Sequence, residues 1–341
     1  MGKNIVVFSD GTGQEGGKGE NTNVYKLFNM VLDRSVDQIA FYDRGLGTGW
    51  RKLTGNIAGA GISKNIQECY RFIFDNYEAG DEIFLFGFSR GATTVRSLSG
   101  FIHSFGILPQ SRSELIKQAY KIYKTSEKEK RESAAKAFID RHHTMWCKIR
   151  FLGVWDTVMA LGVPIKSIDV VIDKIPFFKH RFHDLKLSQS VENGYHALAI
   201  DDERETFHPT LWDPDLNKDQ SIKQVWFCGM HTDVGGGYPE QELSDIALEW
   251  MVSMAMQHGL NIYPEHTVKI QGNANGFMHN SRGGSFTRFY RPKVRSWDTK
   301  QRSDPWIHSS VLQRKLNQDN KEAPPYKPWI LDESYNYNIE P

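Results

Sequence analysis

Short runs of apolar, β-branched and aromatic residues recur along the chain, and each run is bounded by glycine or by polar residues. The runs are continuously apolar rather than alternating, which is typical of strands buried on both faces in a parallel sheet covered by helices. Five strands are predicted from this pattern: Ile5–Ser9, Gln38–Tyr42, Glu82–Gly87, Ile149–Trp155 and Lys223–Gly229.

Helical patterns lie between the predicted strands. Ser63 is predicted to cap the N-terminus of a helix that ends at Gly80, and Ser244 to cap another that ends at Gly259. The stretch around His196 (ENGYHALAIDDER) also has a helical pattern. Strands that alternate with helices are typical of an α/β protein with a doubly wound, mostly parallel sheet. The sequence therefore predicts that fold, with the functional site where the C-terminal ends of the strands meet.

Three segments depart from this alternation. Residues 111–146 are strongly charged and have a helical pattern, which predicts a helical insertion. Residues 160–192 mix apolar and basic positions, an arrangement that fits either a cap over the site or irregular packing. Residues 316–341 are rich in prolines and aromatic residues and are expected to form an irregular tail packed on the body. The interpretation is a single domain over residues 1–315 that carries these insertions.

Composition narrows the possible classes of function and the possible cellular compartment. The 341 residues include 42 Lys and Arg against 41 Asp and Glu, so no excess of positive charge favours a nucleic-acid partner. The three cysteines are far apart, which is unlike a disulfide framework and fits a reducing compartment. Neither a signal peptide nor a membrane span is predicted, because the apolar run at Ile5–Phe8 is too short and no stretch approaches about 20 apolar residues. We expect synthesis in the cytoplasm, with export by a signal-independent route left open.

Candidate catalytic chemistry begins at Gly87-Phe88-Ser89-Arg90-Gly91, which matches the G-x-S-x-G pattern of a nucleophile elbow. An apolar strand precedes this motif and a helical pattern follows it, as an elbow requires. Gly87 and Gly91 leave room for a sharp turn, and the following helix directs its N-terminal N–H groups toward Ser89. Ser89 is therefore the predicted nucleophile.

A serine nucleophile needs a base, and the base needs a carboxylate that orients it. Asp156 follows the strand predicted at Ile149–Trp155, and His231 follows the strand predicted at Lys223–Gly229. Ser89, Asp156 and His231 thus occur in the chain order that α/β-hydrolases use, each at the C-terminal end of a strand. These three residues are the predicted catalytic triad.

Other residues compete for these roles. His308 is the main alternative base, whereas His196 is expected to pack or to form a hydrogen bond within the body. Asp233 and Asp10 are the alternative acids, although a simpler role for Asp233 is to brace the glycine-rich turn that follows it. A metal site made of Asp10, His231 and Asp233 is a further alternative, since carboxylate and imidazole groups bind divalent metals.

The first predicted strand ends in the glycine-rich loop Phe8–Gly13 (FSDGTG). A Walker A loop does not match, because Lys18 is followed by Gly19, and a haloacid dehalogenase motif would need an aspartate where the loop has its phenylalanine. A dinucleotide-binding G-x-G-x-x-G pattern can be drawn through the loop, but a lone match is weak. No cofactor is predicted.

The same loop has a more economical role in a hydrolase. Its backbone N–H at Gly11 or Thr12 is predicted to donate to the oxyanion of the tetrahedral intermediate, beside a first donor at the N–H of Arg90. Asp10 is predicted to hold the loop in place by accepting backbone hydrogen bonds. The predicted oxyanion hole is thus made of Arg90, Gly11 and Thr12.

Five motifs occur together and in order: FSDGTG, FGFSRGA, GVWDTVMALG, HALAIDDERETFHPTLW and WFCGMHTDVGGGY. With them the chain resembles, over about residues 3–315, the uncharacterised α/β-hydrolase domain family that includes the group-one type VI secretion lipase effectors. The resemblance implies a serine hydrolase fold and, for the secreted members, phospholipase activity. It also implies Ser89 as nucleophile, Asp156 as acid and His231 as base.

Two positions depart from the family pattern: Thr93 stands where an aromatic residue is common, and Met159 replaces a small residue. The long membrane-docking insertions of the large effectors are also absent from the sequence.

The predicted function is a serine ester hydrolase acting on an acyl ester, with a lipid or phospholipid favoured by the resemblance and a membrane-surface contact compatible with residues 160–192. Alternatives are a non-catalytic binding module on the same fold and a metal-dependent phosphoesterase. An immunity or adaptor protein is compatible with the family but is not visible in the sequence.

Overall fold

The computed structural model describes residues 2–11, 16–17, 19–45, 55–158, 186–283, 290–316 and 325–341, and only the backbone of residues 55–59. The predicted oxyanion residue Thr12, the family departure at Met159 and most of the 160–192 segment lie outside the described residues. No helix within these ranges is long and apolar enough to cross a membrane.

The described strands are β1 (Asn4–Ser9), β2 (Gln38–Asp43), β3 (Glu82–Phe88), β4 (Ile149–Trp155), β5 (Val191–Ala199), β6 (Ser221–Phe227), β7 (Trp306–His308) and β8 (Asn338–Glu340). They form one sheet in the order β2-β1-β3-β4-β5-β6-β7-β8, and every neighbouring pair is parallel. The five strands predicted from the apolar runs are all present, with ends that shift by two residues at most.

The described α-helices are α1 (Asn23–Met30), α2 (Gly55–Asn76), α3 (Arg90–Phe105), α4 (Leu115–Tyr123), α5 (Lys128–His142), α6 (His231–Gly235), α7 (Glu242–Gln257) and α8 (Ser309–Leu316). Alternate residues of a strand point to opposite faces of the sheet. Ile5 and Val7 of β1 therefore pack with helices α2 to α5, whereas Val6 and Phe8 pack with α1, α6 and α7. Helices cover both faces of a parallel sheet, which confirms the predicted α/β-hydrolase-like, doubly wound fold.

The stretch around His196 is β5 in the centre of the sheet, so the helical prediction was wrong. The last six residues of β5 are buried, and the strand pairs with both β4 and β6. A short apolar run is compatible with a buried strand or a buried helix, and periodicity alone does not separate them.

Two predicted helix starts also differ from the structure, while the predicted ends lie four and two residues beyond the observed ones. Ser63 lies inside α2, which begins well before it, and Ser244 lies in the first turn of α7 instead of capping it. Gly80 and Gly259 lie just beyond these two helices with φ of +99° and +100°, a conformation that favours glycine. Glycine therefore marked the helix ends more reliably than serine marked the starts.

The charged segment 111–146 contains α4 and α5. Their apolar side chains pack into the core on the α3 side of the sheet, namely Leu115, Ala119, Ala135 and Phe138.

The tail that was expected to be irregular contributes β8 to the sheet, and there the carboxylate of Glu340 accepts a hydrogen bond from Trp250 Nε1 at 2.9 Å. A strand of three residues carries too little pattern to be predicted from its own sequence.

Candidate active site

The C-terminal ends of β3 and β4 lie side by side. Phe88 on β3 pairs with Trp155 on β4, so Ser89 and Asp156 follow at adjacent positions beyond the two strands. The Ser89 N–H donates to the Trp155 carbonyl at 3.1 Å, which extends the pairing into the turn. On the other side of β3 lies β1, so the loop that follows β1 reaches the same edge of the sheet.

Ser89 occupies the turn between β3 and α3, with φ +56° and ψ −117°. A positive φ is uncommon for a residue that has a Cβ, and backbone strain of this kind costs on the order of 1–3 kcal/mol and is concentrated at functional sites. The sharp reversal requires the strain here, because α3 begins at the next residue, Arg90. The first-turn amides of α3 have no partner within the helix and point out of its N-terminal end, toward the turn.

Two glycines allow the turn to close. A Cβ on Gly91 would lie 1.9 Å from the carbonyl oxygen of Ser9, and a Cβ on Gly87 would lie 2.6 Å from the backbone of Gly91. Both distances are far shorter than a non-bonded contact. Both obstacles are backbone atoms, which have much less freedom to move than a side chain. The motif therefore has glycine at these positions because α3 packs directly on the ends of β1 and β3.

Gly91→Ala is expected to destabilise the protein by about 3 kcal/mol or more, because the new methyl group forces the backbone of β1 or α3 to shift. The loss is measurable by urea or thermal denaturation. Gly100→Ala is the matched control on the same helix, since its Cβ would meet only the hydroxyl end of Tyr123, at 2.8 Å. Equal stabilities of the two variants would contradict the tight packing of the elbow.

His231 begins the short helix α6 and is buried beside the strand ends. Its Nδ1 lies 2.6 Å from Asp156 Oδ2, and its ring packs against Phe88 and Phe207 with centroid distances of 4.6 and 5.1 Å. Since Phe88 directly precedes Ser89, this contact brings the imidazole to the elbow. Burial lowers the pKa of His231, and the neighbouring Asp156 carboxylate offsets only part of that effect. The neutral, proton-accepting form of the imidazole is therefore favoured.

Asp156 is fully buried, and donors hold both of its carboxylate oxygens. The Ala199 N–H donates to Oδ1 at 3.1 Å, and Arg295 donates from Nη1 to Oδ1 at 2.7 Å and from Nη2 to Oδ2 at 2.9 Å. Burial alone would raise the pKa of Asp156, but Arg295 and His231 together lower it below its usual range. The sequence patterns do not single out Arg295, which lies 139 residues after Asp156 in a segment with no recognisable motif.

The loop after β1 contacts the elbow at Gly11. A Cβ placed on Gly11 would lie 3.6 Å from the Cβ of Ser89. The Gly11 N–H donates to Asp10 Oδ1 at 2.7 Å, so this amide is already engaged in the structure. Asp10 also accepts hydrogen bonds from the hydroxyls of Thr22 and Tyr42, both at 2.6 Å, and burial raises its pKa to about 6. The Asp10 carboxylate thus ties the loop to β2 and to the start of α1.

The two competing histidines have partners elsewhere. His308 ends β7, four strand positions from β3 and therefore roughly 19 Å from it. Its Nδ1 pairs with the Ser310 hydroxyl at 2.9 Å, and its ring stacks on Phe227. His196 is buried in β5, where its Nε2 accepts the Thr157 N–H at 3.1 Å. The His308 imidazole is thus engaged at the far edge of the sheet, whereas the His196 imidazole bonds the backbone of the residue that follows Asp156.

Asp233 braces the turn that carries His231. Its Oδ2 accepts the N–H groups of Met230 and His279 at 3.1 and 3.0 Å, and its Oδ1 pairs with His279 Nδ1 at 2.6 Å. The His279 ring stacks on Tyr238, with centroids 3.9 Å apart. His279 is a second residue near the site that the sequence patterns do not single out.

The three residues considered as metal ligands from the sequence do not converge. The Asp10 carboxylate faces two hydroxyls and a backbone amide, the Asp233 carboxylate faces His279, and His231 faces Asp156. Within the described ranges, no group of three or more His, Cys, Asp or Glu side chains is arranged to hold a metal ion. The side chains present fit acid–base and nucleophilic chemistry better than metal coordination.

A parallel sheet with a serine elbow after β3, an aspartate after β4 and a histidine after β6 defines an α/β-hydrolase-like protein. The chain belongs to the family described as T6SS, phospholipase effector Tle1-like, catalytic domain, which matches residues 3–254. This match confirms the resemblance to the type VI secretion lipase effectors that the five sequence motifs indicate.

Individual relatives are more distant. An uncharacterised protein of the yeast Saccharomyces cerevisiae is 29% identical over 241 residues, which are 62% of this chain and 33% of that protein. The chain therefore spans about a third of the length of this relative.

Three solved structures are also similar. An uncharacterised protein from Pseudomonas aeruginosa has 14% identity and a TM-score of 0.45, covering 80% of this chain and 50% of that one. The Tle1 effector bound to the VgrG spike from the Type 6 secretion system has 19% identity and a TM-score of 0.38, covering 70% and 52%. The butyrate-bound esterase Est2 from Thermogutta terrifontis has 12% identity and a TM-score of 0.40, covering 77% and 86%.

Proposed function

We propose that this protein is a serine ester hydrolase that cleaves the acyl ester of a lipid, with phospholipid as the favoured class. The observation that carries the proposal is the buried Asp156–His231 pair at 2.6 Å, whose imidazole packs against the residue that precedes the strained Ser89. Acyl transfer requires this set of groups: a nucleophile, a base that takes its proton and an anion that orients the base. Membership of a family described as phospholipase effectors supports the lipid ester, which in turn implies contact with a membrane surface.

In the proposed mechanism, Ser89 Oγ attacks the ester carbonyl while His231 Nε2 accepts its proton. Because Nδ1 faces Asp156, the proton of the neutral imidazole resides on Nδ1, and Nε2 is left as the acceptor. The imidazolium then donates its proton to the leaving alcohol, and water hydrolyses the acyl-enzyme by the same steps. The Arg90 N–H, in the first turn of α3, is the proposed donor to the oxyanion, and Thr12 stays the prediction for the second donor.

The purified protein is expected to release fatty acid and lysophospholipid from phospholipid vesicles, because acyl transfer to Ser89 cleaves the carboxylic ester and leaves the phosphodiester intact. Mass spectrometry of the extracted lipids, before and after incubation, identifies both products. Short-chain soluble esters are expected to be hydrolysed by the same chemistry. If the protein hydrolyses soluble esters but leaves phospholipid intact, phospholipid is excluded as the substrate and the proposal is limited to another acyl ester.

His231→Gln tests the proposed base in the same assay, and His308→Gln is its matched control. His231→Gln is expected to lower the rate by about 10³-fold or more, because triad members act as a unit, whereas His308→Gln should stay close to wild type. The reverse pattern would reassign the base. Activity that is abolished by a chelator and retained in Ser89→Ala would instead favour a metal-dependent phosphoesterase.

A further inference from the structure

We infer that Arg295 is a positioning residue of the proposed catalytic site: its guanidinium holds the Asp156 carboxylate in the orientation that His231 needs, and its charge keeps His231 in the proton-accepting form. The inference rests on the proposed function, because it gives Arg295 a part in the serine chemistry. Arg295 lies beyond residues 3–254, the part of the chain that the family covers. A residue outside the matched segment therefore completes the site.

Arg295 is only 2% exposed, and four hydrogen bonds position its guanidinium. Nη1 donates to Asp156 Oδ1 and to the Ala199 carbonyl, at 2.7 and 2.5 Å. Nη2 donates to Asp156 Oδ2 and to the Phe207 carbonyl, at 2.9 and 2.6 Å. A two-pronged contact fixes the plane of a carboxylate as well as its position. Because Oδ2 also faces His231 Nδ1, any rotation of this carboxylate would disturb the base.

The backbone before Arg295 is anchored to the segment that follows β5. The Lys293 N–H donates to the Glu203 carbonyl at 2.7 Å, and the Glu205 N–H donates to the Arg291 carbonyl at 3.0 Å. These two bonds set the strand-like path of the chain just before Arg295. The guanidinium is therefore presented to Asp156 by a backbone that is held independently of the salt bridge.

The buried charges around His231 form two compensated pairs. Asp202, after β5, accepts the backbone N–H of His231 at 3.2 Å and is paired with Arg204. Asp156, after β4, faces the imidazole and is paired with Arg295. Each carboxylate that faces His231 thus already has its own guanidinium. An imidazolium would add a positive charge that these described neighbours do not offset.

A second histidine near Asp156 does not change this balance. His196 on β5 lies close to Asp156, but burial and the Arg96 guanidinium on α3 lower its pKa to about 3, so it is neutral. The His231 ring also packs against the aromatic rings of Phe88 and Phe207, which carry no charge.

The sign of the pH effect follows from these pairs. Hydrolysis needs neutral His231, so the rate falls as the pH drops through the pKa of His231, which burial lowers below its ordinary value. Without Arg295, the Asp156 anion keeps the Ala199 N–H as a donor, and a protonated His231 would supply the positive charge in contact with it. The imidazolium is then stabilised, the pKa of His231 rises, and the acid limb of the pH–rate profile moves to higher pH.

Arg295→Met and Arg295→Lys separate the charge from the geometry when kcat/KM is measured against pH on a soluble ester. Arg295→Met removes both, so its acid limb is expected to move up by about 1 pH unit or more and its kcat to fall by about 100-fold. Arg295→Lys keeps the charge but loses the planar fork. Its acid limb should stay at the wild-type pH, while its kcat falls by about tenfold or more.

Arg302→Met is the matched control from the same C-terminal segment. Arg302 donates to the Trp212 carbonyl and lies over the Trp297 ring, away from the triad, so its variant should keep the wild-type profile. Wild-type kcat and pH profile in both Arg295 variants, alongside an inactive Ser89→Ala, would overturn this inference and leave the proposed function standing. Full activity in Ser89→Ala would overturn the proposed function itself. If Arg295→Met does not fold, Arg295→Lys decides alone, and a wild-type kcat in that variant rejects the positioning role.

Discussion

Ser89→Ala is expected to lower ester hydrolysis by about 10⁴- to 10⁶-fold, the range that loss of a serine nucleophile costs in triad enzymes. Alanine retains the Cβ that the turn already accommodates, so the substitution removes only the attacking oxygen. Initial rates on a soluble ester and on phospholipid vesicles measure the loss. A fluorophosphonate probe should label wild-type protein on the peptide that contains Ser89 and leave the variant unlabelled.

Ser104→Ala is the control for this experiment. Ser104 lies on the same helix, α3, and its hydroxyl donates to the Gly100 carbonyl at 2.8 Å within that helix, so its loss should leave the rate unchanged. A wild-type rate in Ser89→Ala would refute the serine mechanism. Wild-type protein that is folded, unlabelled by the probe and inactive on every ester would instead favour a non-catalytic binding module on the same fold.

The elbow is predictable from the sequence because its determinants are local. Five consecutive residues, Gly87 to Gly91, contain the serine and both glycines, and the structure shows that each glycine avoids a collision with backbone. Asp156 and His231 are predictable as neighbours for a topological reason. Parallel strands present their C-terminal ends at one edge of a sheet, so residues just beyond separate strands meet there.

The contacts that complete the site depend on the tertiary structure. Arg295 reaches Asp156 across 139 residues of sequence, and His279 reaches Asp233 across 46. Neither residue belongs to a periodic pattern or a motif, and a charged residue in an irregular segment is most simply expected to be solvated. The hydrogen bond from the Gly11 N–H to Asp10 could not be predicted either, because the sequence does not show which acceptor a backbone N–H contacts. Local patterns thus indicated the candidate reacting groups but not the residues that contact and position them.

Asp156→Asn is expected to lower kcat by about 10⁴-fold, as the equivalent change does in a serine protease triad. The amide keeps the shape of the carboxylate, but it does not stabilise the imidazolium of His231. Its NH₂ group can also donate to Nδ1, which would place the imidazole proton on Nε2, where it blocks transfer from Ser89. Arg295 loses its counter-charge in a fully buried position, so stability is expected to fall by about 3 kcal/mol. Steady-state kinetics and thermal denaturation measure the two effects.

Asp202→Asn separates the catalytic loss from the cost of an unpaired guanidinium. Asp202 is as deeply buried as Asp156 and is paired with Arg204, but it contacts the backbone N–H of His231 and not the ring. Its variant should therefore lose stability while losing only about tenfold in kcat, measured at a temperature where both variants are folded. Equal kinetic losses in the two variants would mean that the damage at Asp156 is structural. A kcat for Asp156→Asn within tenfold of wild type would show that His231 is oriented without this carboxylate, which the 2.6 Å contact between them argues against.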